Sequence, residues 1–138
     1  MPEKTDIVRT RYRVLAVDAD PVVLFLWRNV LLRPAGVYEV VTAGDGCDAL
    51  EEFTRVPFDL VVTDIAMPDM DGVELTKAIR QLGHEIPIIW FTALGVPNMA
   101  EEAERLDVYC CLCKPLEVDE MRQAVADALE DPHKEKVP

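Results

Sequence analysis

The sequence predicts an α/β fold in which five parallel strands form one sheet with helices on both faces. Three observations predict it. Short apolar, β-rich runs recur at 13–17, 38–42, 60–63, 87–91 and 109–113. A segment with helical spacing of its apolar residues follows each run, and such alternation builds βαβ units with right-handed crossovers. Four of the runs end in polar residues, at Asp18, Asp64, Thr92 and Lys114. Open α/β sheets bind their ligands outside the carboxyl ends of strands, so these residues are placed for chemistry.

Residues 1–11 read as a polar lead-in, 12–130 as one domain and 131–138 as a polar tail. Arg13–Val17 is the first strand. Asp20 as N-cap and Pro21 at the first helical position start a helix that runs to about Arg33, where Pro34 and Gly36 stop it. Its opening, Val22 to Trp27, is apolar nearly all round, and the surplus at Leu24 or Phe25 is expected to pack rather than to meet a partner. Tyr38–Thr42 is the second strand. Gly44-Asp45-Gly46 turns into a helix from about Cys47 to Arg55, with Ala49, Leu50 and Phe53 on one face.

Leu60–Thr63 is apolar on both faces, as a central parallel strand requires, and Asp64 stands where the run stops. Asp71-Gly72 opens a third helix with Val73, Leu75, Ile79 and Leu82 as its apolar positions. Pro87–Phe91 forms the fourth strand, and a loop through Gly95 and Pro97 leads to a short acidic helix from about Asn98 to Leu106. Tyr109–Cys113 is the fifth strand, and Val118–Leu129 the last helix. The topology favoured at this length is the flavodoxin-like doubly wound order 2-1-3-4-5, a three-layer sandwich. Its crevice lies between strands 1 and 3, where Asp18 and Asp64 meet.

Composition narrows the function. A chain of 138 residues, half of them hydrophobic, is long enough to bury one core. No apolar stretch is long enough to span a membrane, and no apolar signal core opens the chain, so a cytoplasmic location is expected. The formal net charge of −12 argues against nucleic-acid binding by this chain and suits a cation or a basic partner. Cys110, Cys111 and Cys113 crowd one strand. Adjacent strand residues face opposite ways, so a shared metal site is disfavoured and buried thiols in a reducing compartment are expected.

The strand-end residues suit phosphoryl chemistry. Two clustered carboxylates repel unless a cation lies between them, and Mg²⁺ accepts a few carboxylates with phosphate oxygens and water. Lys114 supplies a point charge and Thr92 a hydroxyl donor, and an Asp carboxylate is a known phosphoryl acceptor type. From about Arg11 to Leu129 the chain resembles the receiver domain of two-component response regulators. The resemblance is carried by Val14 to Pro21, Asp59 to Gly72, Phe91-Thr92-Ala93 and Lys114-Pro115. It implies that Asp64 accepts a phosphoryl group from a sensor histidine kinase or phosphotransfer protein. It further implies that Asp18, Asp64 and the Ala66 carbonyl hold Mg²⁺, that Thr92 and Lys114 bond the phosphoryl group, and that the Lys114–Pro115 bond is cis. The readout surface would be helix 4, strand 5 and helix 5, offered to a downstream protein or to an output domain outside this chain.

Two departures matter. Receivers commonly carry two adjacent acids after strand 1, and here the second position is Ala19. Asp20, one residue on, can assist the metal or cap the helix, and capping is favoured, so weakened Mg²⁺ binding is expected. Three positions before the lysine an aromatic is usual, and here it is Cys111. Tyr109, on the same strand face, is a candidate substitute, and coupling through the loop with Gly95 and Pro97 is the alternative. Two other functions stay open. One is a receiver-like interaction module that is never phosphorylated. The other is a haloacid-dehalogenase-type phosphatase with Asp18 as nucleophile, which leaves Asp64 to Gly72 unexplained. A homodimer through helix 1 or the helix 4–helix 5 face is open as well.

Overall fold

The structure is a computed structural model and describes residues 11–93 and 99–130. The elements are β1 Tyr12–Val17, α1 Pro21–Val30, β2 Tyr38–Ala43, α2 Gly46–Arg55, β3 Leu60–Asp64, α3 Gly72–Gln81, β4 Ile88–Thr92, α4 Met99–Arg105, β5 Cys110–Cys113 and α5 Val118–Glu130. All pairings are parallel and the sheet order is β2-β1-β3-β4-β5, as expected. The lead-in through residue 10, the hinge proposed at Gly95 and Pro97, the helix start at Asn98 and the tail from residue 131 lie outside the described residues.

The strands sort their side chains by the two-residue period of a pleated backbone. Leu15, Val17, Val61, Ile88 and Trp90 face α2, α3 and α4, where they meet Ala49, Phe53, Leu75, Ile79 and Ala103. Val14, Ala16, Leu60, Val62, Ile89 and Phe91 face α1 and α5, where they meet Trp27, Val30, Met121 and Val125. β3 and β4 are buried along their whole length, which explains why they read as continuous apolar runs.

Aspartates set the starts of three helices. Asp20 caps α1 by accepting from the Val22 amide at 2.9 Å, with Pro21 following it. Asp45 caps α2 through the Asp48 amide at 2.7 Å. Asp71 and Glu74 form a reciprocal capping box at α3, each accepting from the other's backbone amide. α1 ends earlier than expected, at Val30. Leu32 donates to the Asn29 carbonyl, a tighter turn that unwinds the helix before the cis Arg33–Pro34 bond.

Several expected core positions are exposed. Leu24 packs, but Phe25 is 65% exposed, with Val22 of α1 at 70% and Leu32, past the end of the helix, at 64%. Leu82 and Val118 also face solvent, since each sits at a helix end past the sheet. The strand thiols are not deeply buried either. Cys110 and Cys111 are half-buried on opposite faces and Cys113 is exposed, because β5 is the sheet edge. Burial pushes the Cys110 thiol up to about 12 and raises Cys111 too, which keeps both protonated.

The end of the sheet remote from Asp64 is fastened by Arg80 of α3. Its Nε donates to the Leu106 carbonyl at 2.9 Å and its Nη2 to Asp107 at 3.0 Å. Its Nη1 donates to the carbonyls of His84 at 3.0 Å and Ile86 at 2.8 Å. One planar fork thus satisfies carbonyls from the α3–β4 and α4–β5 connections.

Candidate functional site

β1, β3, β4 and β5 deliver Asp18, Asp64, Thr92 and Lys114 to the carboxyl edge of the sheet. Asp18 follows β1 directly, and its amide donates to the Ala43 carbonyl at 3.2 Å, which prolongs the β1–β2 ladder. Asp64 is the last residue of β3 and is paired with Phe91 of β4. Thr92 ends β4, and its carbonyl accepts from the Lys114 amide at 2.8 Å, which ties the lysine to the strand carrying the threonine. The Lys114–Pro115 bond is cis, as expected. Asp18, Asp64 and Thr92 are 2%, 6% and 3% exposed.

Lys114 joins the two acids. Its Nζ lies 3.0 Å from Asp18 Oδ2 and 3.1 Å from Asp64 Oδ2. The other oxygen of each carboxylate is held by backbone two residues on. Asp18 Oδ1 accepts from the Asp20 amide at 2.8 Å, and Asp64 Oδ1 from the Ala66 amide at 3.2 Å. Each acid therefore has one oxygen on the main chain and one on the ammonium. Burial raises the Asp18 pKa, with the Asp64 charge adding to it, against the lowering effect of the Asp20 amide and Lys114. Burial also works against the Lys114 ammonium, but its bonds to Asp18 and Asp64 outweigh that, and its pKa is raised.

Asp20 does not join this cluster through its side chain. Its carboxylate caps α1, its residue is exposed, and only its amide reaches the site. Among the described residues, no three His, Cys, Asp or Glu side chains are grouped to hold a metal. The donor set at the edge is two carboxylates and nearby backbone oxygen. That set fits Mg²⁺, which completes its octahedron with water and phosphate oxygens, and does not fit Zn²⁺, which favours nitrogen and sulfur.

Sequence reasoning missed two features. Gly72 is needed under the site, because a Cβ there would strike the Asp64 carbonyl and the Ile65 Cα. The signal was its place eight residues after a strand-ending acid, where α3 must turn back over β3. The Phe91 ring lies beside the site, with its centroid 5.6 Å from Lys114 Nζ and 5.5 Å from the Trp27 ring. That contact follows from the parallel register of β4 and β5, which no local sequence signal reveals.

Tyr109 does not stand in for the aromatic missing at Cys111. β5 begins at Cys110, so the strand alternation does not extend back to Tyr109. Tyr109 packs on the α1–α5 side, whereas Cys111 packs on the other. Cys111 is instead the sheet partner of Trp90, whose Nε1 donates to Thr76 Oγ1 at 2.9 Å, and Thr76 Oγ1 in turn donates to the Gly72 carbonyl at 2.8 Å.

The family model for the response regulator receiver domain matches residues 14–126. The chain is 35% identical over 115 residues to the sensor histidine kinase RcsC of Salmonella typhi, covering 82% of this chain and 12% of that protein. It is 32% identical over 113 residues to sporulation initiation phosphotransferase F of Bacillus subtilis (strain 168), covering 82% of this chain and 90% of the relative. It therefore spans a small part of RcsC and nearly all of the phosphotransferase. Among solved structures, the chemotaxis response regulator CheY4 of Vibrio cholerae superposes with a TM-score of 0.78 at 31% identity, covering 87% of this chain and 100% of that one. A receiver domain from Methanospirillum hungatei JF-1, at 24% identity and a TM-score of 0.81 over 89% of this chain and 97% of its own, shares the fold. With its sheet order, its strand-end acids and its lysine in place, this chain belongs to the response regulator receiver domain family.

Proposed function

We propose that this receiver accepts a phosphoryl group on the Asp64 carboxylate from the phosphohistidine of a sensor kinase or phosphotransfer protein. The observation that carries the reading is the Lys114 ammonium bonded to both Asp18 and Asp64 at the carboxyl edge of the sheet. A carboxylate oxygen of Asp64 attacks phosphorus, the P–N bond to the donor imidazole breaks, and an acyl phosphate forms as the imidazole takes up a proton. The phosphoryl oxygens carry negative charge in the transition state, and fixed cationic and hydroxyl groups lower that cost. Lys114, with its raised pKa, stays protonated for this role. Thr92, which ends the neighbouring strand, supplies a hydroxyl donor.

Asp18, Asp64 and the Ala66 carbonyl would hold Mg²⁺, which when bound supplies further positive charge to the phosphoryl oxygens. Ala19 removes the second acid common in receivers and Asp20 is spent on α1, so this affinity is weakened. Phosphorylation biases an equilibrium between two surface conformations, through contacts that differ between them. The changed surface addresses a downstream protein or an output domain, and the chain acts as a signalling phosphoacceptor in the cytoplasm with no turnover of an outside substrate. The receiver match sets aside the dehalogenase-type reading of Asp18.

The test is intact-protein mass after incubation with Mg²⁺ and acetyl phosphate. One phosphoryl group on the wild type and none on Asp64→Ala is the expected result. No adduct, together with no binding of beryllofluoride, overturns the reading in favour of a phosphorylation-independent interaction module.

A further inference from the structure

Three groups described above hold the Lys114 ammonium, and the proposed chemistry engages two of them. Asp18 and Asp64 accept its hydrogen bonds. A divalent cation would draw on both carboxylates, and phosphoryl transfer converts Asp64 into an acyl phosphate. Charge pairing alone would then leave a flexible four-carbon side chain to find the phosphoryl group afresh. The third group is the Phe91 ring, 5.6 Å from Nζ. The negative face of an aromatic ring attracts an ammonium within about 6 Å, and neither a metal nor a phosphoryl group competes for it.

Phe91 is also the best fixed of the three. It is fully buried in β4, and Asp64 is its partner in the β3–β4 register. Its carbonyl accepts from the Ile65 amide at 3.2 Å, so its backbone is tied to the residue after Asp64. The ring packs against Trp27 of α1, itself fully buried, with 5.5 Å between centroids and a 44° tilt. We propose that Phe91, braced by Trp27, is a positioning residue that keeps the Lys114 ammonium facing Asp64 once both carboxylate partners are engaged. The proposal rests on Asp64 being the phosphoacceptor.

The test replaces Phe91 with phenylalanines carrying one, two or three ring fluorines, and separately with Leu. Fluorine drains the ring face while nearly keeping its shape, so a packing role predicts no graded effect. Beryllofluoride affinity and the acetyl phosphate reaction rate are expected to fall stepwise with fluorine number, by about two- to five-fold in all. Mg²⁺ affinity measured without a phosphoryl mimic is expected to stay unchanged, since the fluorines alter the ring face and leave both carboxylates as they are. A flat fluorine series overturns the proposal even where Phe91→Leu fails to fold. Separately, the Lys114 ε-methylene protons of the metal-free chain are expected upfield of the other lysines through the ring current, and to return in Phe91→Leu. An unshifted resonance with normal phosphorylation removes the role of Phe91 alone. No phosphoryl or beryllofluoride signal in the wild type removes the phosphoacceptor reading and the role together.

Discussion

Trp90 and Cys111 are paired residues of β4 and β5, so a fully buried indole lies beside a half-buried thiol on the α3–α4 side of the sheet. Receivers commonly carry an aromatic at this place on the fifth strand, and here the large ring of the pair is on the fourth. The indole is anchored, because its N–H bonds to Thr76. Adding a ring at position 111 therefore overpacks this face. Cys111→Phe should cost about 1–3 kcal/mol in the wild type and clearly less in a Trp90→Val background. Denaturant unfolding of the four proteins measures this. A coupling below about 0.5 kcal/mol would mean the two side chains do not share the space.

Ala19 and Asp20 separate metal binding from helix capping. Ala19→Asp should tighten Mg²⁺ by about ten-fold, since a further carboxylate beside the cation is worth at least that much Coulomb energy at partial exposure. Asp20→Ala should leave Mg²⁺ affinity alone and cost about 1 kcal/mol of stability through the lost cap. Mg²⁺ titrations followed by tryptophan fluorescence, with thermal melts alongside, check both. Loss of Mg²⁺ affinity in Asp20→Ala would show its carboxylate leaving the helix to reach the ion.

Lys114→Met exposes the electrostatic balance of the site. The wild-type Asp18 pKa is raised above 3.8, so the folded state is favoured by protonation there, and stability falls as pH climbs from 3.8 through the raised value. Lys114 has a raised pKa, so its stabilising share is complete below 10.5 and is lost only as pH rises through the folded value. Removing the ammonium takes away the bond that lowers Asp18 and leaves burial and Asp64 to push it further up. The variant should be less stable by roughly 1–3 kcal/mol at neutral pH, a figure discounted for the partial exposure of Lys114. That deficit should shrink as pH falls from neutral through the further-raised Asp18 value, where Asp18 takes up its proton. A deficit independent of pH, measured by urea unfolding, would place the cost elsewhere.

Phe25 offers a cleaner separation of chemistry from recognition. It is 65% exposed, one turn after the exposed Val22, on a helix that starts three residues after Asp18 and is itself free of acids. Phe25→Ser should change stability by no more than about 0.5 kcal/mol. Acetyl phosphate, which needs no docking surface, should react at the wild-type rate. Transfer from a phosphorylated kinase or phosphotransfer protein should slow, because an exposed aromatic is a common anchor of protein contacts. Equal slowing with both donors would count against a docking role.

Much of this architecture is written locally. β3 and β4 are buried on both faces, so Leu60–Val62 and Ile88–Phe91 carry an apolar signal, and the strand ends mark where Asp64 and Thr92 emerge. Asp20-Pro21 is equally local, since cap and helix start are adjacent in the chain. β5 is harder to read because an edge strand is covered less completely. Its cysteines look like core from composition and are half-buried or exposed in fact. The face of Tyr109 depended on where pairing with β4 begins, a tertiary matter. The contact of Phe91 with Lys114 joins two strands and has no sequence period of its own.

Arg80 has a consequence for how variants of this chain would be interpreted. Its four carbonyl acceptors belong to connections at the end of the sheet away from Asp64. Lysine cannot reproduce the fork, and each carbonyl left dry adds to the loss. Such a change would lower the amount of folded receiver in a cell rather than the rate of any step at the site. A genetic screen for silent signalling would then return Arg80 beside Asp64, and only the quantity of protein on a gel would tell the two apart.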